Sequence, residues 1–180
     1  MKTFAPVLLA AALAAAGASV ASAEVVLEGV HWQVASMSRG RVAGWQDMKV
    51  LDDGPPRLDS RLRARLVIKN TGPRAEEGLL LRYSLTARLE PSSGAAPTGG
   101  SWAIPFFVDE RRVPKIGPGR VLEVPLQAAT ALQIYLSRLA RSGWWPDRVR
   151  LQVMLDPRPG SASIQTVEDT LEFQSSEALP

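Results

Sequence analysis

Between Arg61 and Asn70 the chain reads RLRARLVIKN, and its apolar residues recur at every second position. Leu62, Ala64, Leu66 and Ile68 fall on one side, and Arg61, Arg63, Arg65 and Lys69 on the other. A strand turns successive side chains to opposite faces, so this pattern fits a half-buried strand with a solvated face. The same period returns along most of the chain. Leu79 to Leu89 alternates, as do Arg120 to Leu126, Arg148 to Leu155 and about Gln165 to Phe173. Val25 to Ala35 reads as a first strand, with Val30, Trp32 and Val34 inward, and a weaker one lies at Trp45 to Leu51. Trp102 to Val108 reads as a strand in which Pro105 marks an edge or a bulge. Breakers separate these runs: Thr71-Gly72-Pro73, the small polar stretch Pro91–Gly100, Ile116–Gly119 and Pro157–Gly160. Seven or eight short strands with turn signals between them predict an all-β, immunoglobulin-like antiparallel β-sandwich. No internal repeat and no second domain are evident.

One segment breaks the period. LQIYLSRLARSGWWPD, Leu132 to Asp147, reads as a basic amphipathic helix, a glycine stop and two adjacent tryptophans. Thr130-Ala131-Leu132-Gln133 has the form of a capping box, with Thr130 as N-cap. Leu132, Leu136, Leu139 and Ala140 make an apolar stripe, Arg138 and Arg141 favour the last turn, and Gly143 suits the C′ position. The spacing predicts one crossover helix near 131–142 that covers an end of the sandwich. If the chain is extended after it, Trp144 and Trp145 point to opposite sides, one into the core and one to the rim.

The first 23 residues have a different character. Lys2 precedes an apolar run from Phe4 to about Ala16, and small residues end in Ala21-Ser22-Ala23. That layout is a secretory signal peptide over residues 1–23, with the mature chain starting at Glu24 in the periplasm or outside the cell. The run is short for a membrane span and carries Gly17 and Ser19, so no stable insertion is expected after cleavage. Removing it from 180 residues leaves 157, which suits a single domain over 24–180. The chain has no cysteine, so the core must hold without disulfides, and thiol and cysteine–metal chemistry are excluded. Without Lys2 the formal charge of +3 falls to about +2, too mild to argue for nucleic acid.

The strand ending Leu66-Val67-Ile68-Lys69-Asn70-Thr71-Gly72 resembles the hydrophobic–x–N-x-G strand-turn of bacterial immunoglobulin-like domains of the cell-adhesion-related (CARDB-type) class. A strand such as Leu80 to Leu85 follows in those domains, and a P-G turn like Pro118-Gly119 precedes a later core strand. The resemblance covers about residues 60 to 173. It departs at the helix, which is longer than that connection usually holds, and at residues 24–58. It implies spacing, adhesion or accessory binding rather than chemistry.

Residue types that could carry chemistry are sparse. His31 is the sole histidine, sits mid-strand and lacks a nucleophile-elbow motif. His31, Met37 and Met48 could offer imidazole and thioethers to copper, although no Met-x-x-Met or His-rich cluster accompanies them. Asp52-Asp53, Glu76-Glu77, Asp109-Glu110 and Glu168-Asp169 are acid pairs, but adjacent acids on a strand face opposite ways. Asp52-Asp53-Gly54 could begin a calcium loop but lacks further spaced ligands. No metal site, cofactor or catalytic residue is expected on these grounds. The outward arginines remain. Arg63 and Arg65 share one face and Arg148 and Arg150 another, and the four would form one basic patch if their strands shared a sheet. Aromatic interleaving is absent from those stretches, which argues against nucleic acid. The expectation is an exported, non-enzymatic binding or accessory protein whose partner is an envelope protein or an anionic ligand. Trp144, Trp145, Arg63, Arg65, Arg148 and Arg150 are its candidate contacts. A copper carrier, or a small hydrolase using acidic residues, is the competing reading.

Overall fold

The computed structural model describes residues 25–52, 60–91, 100–156 and 164–174. The expected leader 1–23 and its expected cleavage point, Asp53 and Gly54, the expected turn 157–160 and most of the stretch 91–100 lie outside the described residues.

Among the described residues, ten strands and one helix follow one another as β1 (Val25–Ser38), β2 (Arg41–Asp47), β3 (Val50–Leu51), β4 (Leu62–Asn70), β5 (Leu80–Pro91), β6 (Ser101–Trp102), β7 (Phe107–Arg112), β8 (Val121–Leu126), α1 (Ala128–Arg141), β9 (Trp144–Leu155) and β10 (Gln165–Phe173). Two sheets form. The four-stranded sheet has the order β2-β1-β4-β8. In the six-stranded sheet β3-β10-β9-β5-β6 run in order and β7 also pairs with β5. Strands β1, β4 and β8 on one side and β10, β9 and β5 on the other reproduce the A-B-E and G-F-C sets of an immunoglobulin-type sandwich. Pairing is antiparallel except for the two-residue match of β3 with β10.

The alternation set the core. Leu62, Ala64, Leu66 and Ile68 from β4 face Leu81, Tyr83, Leu85 and Ala87 from β5 and Val149, Leu151 and Val153 from β9, and all are buried. In β1 the buried set changes phase, from Val25 and Leu27 to Val30 and Trp32. A register shift between Leu27 and Gly29 absorbs the extra residue. The β1–β2 hairpin turns through Arg39 (φ 50°) and Gly40 (φ 75°), the paired left-handed residues of a type I′ turn.

Three expectations change in detail. The stretch from Trp102 to Val108 is two strands, β6 and β7, with Pro105 between them. Proline has no N–H to give the ladder, and each piece pairs with a different part of β5. The strand at Trp45–Leu51 is likewise divided, into β2 on one sheet and β3 on the other. The helix starts at Ala128, not 131, and Thr130 lies inside it; the cap is Gln127, with no side-chain cap bond. A tertiary contact replaces the capping box, because the Gln127 N–H donates to the Tyr83 hydroxyl at 3.3 Å. At the other end Gly143 takes φ 74°, and the Ser142 and Gly143 N–H groups cap the Leu139 and Ala140 carbonyls.

The helix joins β8 of one sheet to β9 of the other and buries Leu132 and Leu136 completely. Tyr135 stacks on Phe106 at 3.8 Å between ring centroids. It is therefore a lid on the sandwich end.

Beyond β2, side chains of β10 take over the free edge of β1. The Gln165 amide donates to the Val25 carbonyl (2.5 Å) and accepts from the Leu27 N–H (3.0 Å), as a neighbouring strand would. Asp169 accepts from the Trp32 N–H at 3.1 Å and pairs with Lys49. Asn70 of the N-x-G turn is fully buried. Its amide donates to the Arg74 and Ile116 carbonyls and its oxygen accepts from Gly72 N–H at 2.9 Å, so that motif is a turn lock.

Candidate functional site

The four arginines do not form one patch. Arg63 and Arg65 lie on β4 and Arg148 and Arg150 on β9, so each pair sits on the outer face of a different sheet. The sequence could not show this, since sheet membership is decided by long-range pairing.

On the four-stranded sheet most of the charges are paired. Arg65 pairs with Glu123 and stands 3.8 Å from Asp47. His31 Nδ1 is 3.9 Å from the other Asp47 oxygen. The Gln33 amide donates to Asp47 at 2.5 Å and accepts from Arg63 Nε at 2.7 Å. The Gln33 bond, helped by the charges of His31, Arg65 and Lys49, holds the Asp47 carboxyl below its usual range against the cost of burial. Arg63 also lies 4.3 Å over the Trp45 ring. Lys69 faces Glu28 at 3.7 Å.

The six-stranded sheet presents a different face. Arg148 opposes Arg88 across the β9–β5 ladder, and Arg150 opposes Thr86. Arg88 is engaged by both Asp147 oxygens, with Nε at 2.8 and 3.0 Å, and Arg148 by Glu172 at 3.0 Å. Asp147 is the extra residue at a register shift, which brings its carboxylate to Arg88. Arg150 has no carboxylate within ion-pair distance among the described residues. Its guanidinium instead stands 4.5 Å over the ring of Trp102 from β6, a cation–aromatic contact. Trp102 keeps 42% of its surface exposed, and Thr86 and Thr170 flank Arg150 on the neighbouring strands. Aromatic rings thus do stand beside the arginines on both faces. They come from other strands, so reading each strand alone missed them, and the sequence argument against nucleic acid loses its premise.

The two tryptophans after the helix part as extended chain requires. Trp145 is buried and meets Phe173 edge-on, with centroids 6.2 Å apart, so it is a core residue and not an exposed contact. Trp144 is 42% exposed at the end of the same six-stranded sheet.

The other candidates do not converge. Met37 lies six residues along β1 from His31, about 20 Å at strand rise. Met48 packs against the core, while His31 is on the outer face. Asp109 accepts from the Tyr83 hydroxyl at 2.6 Å, while Glu110 pairs with Arg82 on the opposite face. Glu168 is exposed and Asp169 buried. No group of three or more His, Asp or Glu side chains suited to a metal occurs among the described residues. An open cleft of about 760 Å³ lies where β1, β4 and the start of α1 meet. Arg61 is the charged residue of its lining, beside Ser60, Thr130 and Gln133. Among the described residues no helix is long and apolar enough to cross a membrane.

No protein-family model matches the chain, and no curated protein matches it. Among solved structures, the crystal structure of the C-terminal domain of wzt aligns over 86% of this chain and 76% of that one, with a TM-score of 0.38 and 8% identity.

Proposed function

We propose that this chain is an exported, non-enzymatic binding module of the cell envelope, and that its contact surface is the outer face of the six-stranded sheet. The partner is an envelope protein or an anionic ligand. One observation carries the reading: among the described residues Arg150 meets no carboxylate and is held over the partly exposed Trp102, on the face that also carries Arg148. Tryptophan and arginine are the residue types that dominate binding energy at interfaces. The stacking also fixes the guanidinium before a partner arrives, which lowers the entropy cost of contact. Asp109 is bonded to Tyr83 and Glu110 to Arg82 on the opposite face, Glu168 is exposed and Asp169 buried, and the described lining of the cleft brings no carboxylates together, which favours binding over hydrolysis. The leader supports the envelope location.

The test is photo-crosslinking in the native envelope from a benzophenone amino acid at position 102, with position 121 on the opposite sheet as control. A discrete product from position 102 alone, lost in a folded Arg150→Ala variant, is the expected result. Equal labelling from both positions, or a product indifferent to Arg150, would remove the support for this face.

A further inference from the structure

On the β5 side the six-stranded sheet ends at β6 and β7, and among the described residues the far side of β7 is an unpaired edge. β7 pairs with β5, and no other strand pairs with it among the described residues. Its backbone direction follows from two hydrogen bonds. Asp156 N–H donates to Leu80 O at 2.9 Å, so the even-numbered residues of β5 address β9 and the odd-numbered ones address β7. Val113 N–H donates to Leu79 O at 3.0 Å, so Asp109 and Arg111 turn their backbone groups to β5. Val108, Glu110 and Arg112 then turn theirs outward. Beside this edge, Val108 is 67% exposed and Ile104 84% exposed.

We propose that β7 pairs antiparallel with β7 of a second copy of this chain, about a two-fold axis at Glu110. That register matches outward groups to outward groups, as a ladder requires. It sets Asp109 of each copy opposite Arg111 of the other, so two opposite-charge pairs form. Val108 falls opposite Arg112. The two Glu110 carboxylates meet at the axis, but each is already paired with its own Arg82 at 2.8 Å. A slide of the register by two residues sets Arg111 opposite Arg111 or Asp109 opposite Asp109. Like charges directly opposite are unfavourable. The slide to Arg111 opposite Arg111 also sets Glu110 opposite Arg112, but among the described residues its axial guanidiniums have no carboxylate of their own, whereas the axial Glu110 carboxylates of the centred register each keep Arg82. Charged residues on an edge ordinarily repel strangers. This order of charges repels them while admitting the same strand from another copy, in an isologous contact. The pairing would join the two six-stranded sheets and place both Trp102–Arg150 faces in one assembly. It does not depend on what those faces bind.

The experiment is sedimentation of the purified protein over a concentration series. The wild type is expected to show a monomer–dimer equilibrium. Arg111→Glu alone and Asp109→Lys alone each set two like-charge pairs across the axis and should weaken the dimer about tenfold or more. An equimolar mixture of the two variants restores both opposite pairs and should dimerise as the wild type does. Asp109 also holds Tyr83, so if Asp109→Lys fails to fold, Glu110→Cys replaces that arm. This otherwise cysteine-free chain then has one thiol, on the axis, and a short bismaleimide should link two copies. A wild type that stays monomeric to about 1 mM overturns the proposal. So does a dimer indifferent to Arg111→Glu, or a thiol at 110 that links no faster than one placed at Glu123 on β8.

Discussion

Asp169 is buried on β10, and its removal should cost far more than its change to asparagine. The backbone N–H of Trp32 is buried and has the Asp169 carboxylate as its acceptor at 3.1 Å. Asp169→Ala leaves that donor unsatisfied, at about 1–3 kcal/mol. The Lys49 pair adds little, because the lysine side chain is 66% exposed and water screens it. Asp169→Asn keeps an acceptor oxygen for Trp32 and gives up the ion pair, so it should cost about 1 kcal/mol or less. Lys49→Ala should fall in the same range. For a domain of this size each kcal/mol lowers the melting temperature by about 2–4 °C. Urea unfolding followed by tryptophan fluorescence, with a thermal melt beside it, separates the three variants. If Asp169→Asn is as damaging as Asp169→Ala, the ion pair and not the Trp32 bond is what matters. If Asp169→Ala lies within about 0.5 kcal/mol of the wild type, β10 does not stitch the β1 edge and the argument fails.

The two tryptophans after the helix should behave as opposites in the same assay. Trp145→Ala removes a buried ring packed on Phe173 and should cost about 3–5 kcal/mol, while Trp144→Ala should stay within about 1 kcal/mol. Tyr83 should make the fold sensitive to alkali. Burial, and then its bond to Asp109, push its phenol from 10.0 to about 12, against a smaller opposing effect of the Gln127 N–H. The unfolded chain releases that proton from pH 10 upward and the folded chain holds it to about pH 12, so stability falls as pH rises through this window, by roughly 2 kcal/mol. Titration of the phenolate absorption band should show the delay, and Tyr83→Phe should flatten the pH dependence of unfolding between those limits.

The strands were legible because each carries its own signal. Leu62, Ala64, Leu66 and Ile68 show the buried side of β4 without reference to any other strand, and all four are buried. The same local logic found the helix stripe at Leu132 and Leu136 and the glycine stop at Gly143. It failed where the deciding contact is distant. Thr130 looks like a cap until Tyr83, far off in sequence, supplies the bond that starts the helix earlier. Trp102 and Arg150 lie 48 residues apart, and only the joint pairing of β6 and β9 with β5 brings them together. Asn70 and Gly72 were visible as a turn, but the bonds to Arg74 and Ile116 that make Asn70 a lock depend on the tertiary fold.

The two outer faces are built from the same residue types and differ in how their charges are used. On the four-stranded sheet Asp47 draws in Gln33, His31 and Arg65, Glu123 holds Arg65 again, and Glu28 takes Lys69. A partner arriving there must compete with bonds already made. On the six-stranded sheet Asp147 and Glu172 satisfy Arg88 and Arg148, and Arg150 is left with an aromatic ring as its neighbour. A cation held by a ring keeps its hydrogen-bond donors for a partner, which a cation held by a carboxylate does not. Arg63 over Trp45 is the nearest counterpart on the other sheet, but its Nε is already given to Gln33. On the proposed binding reading, replacing Arg150 or Trp102 should abolish crosslinked partner capture while leaving the fold intact, as a thermal melt of each variant would check.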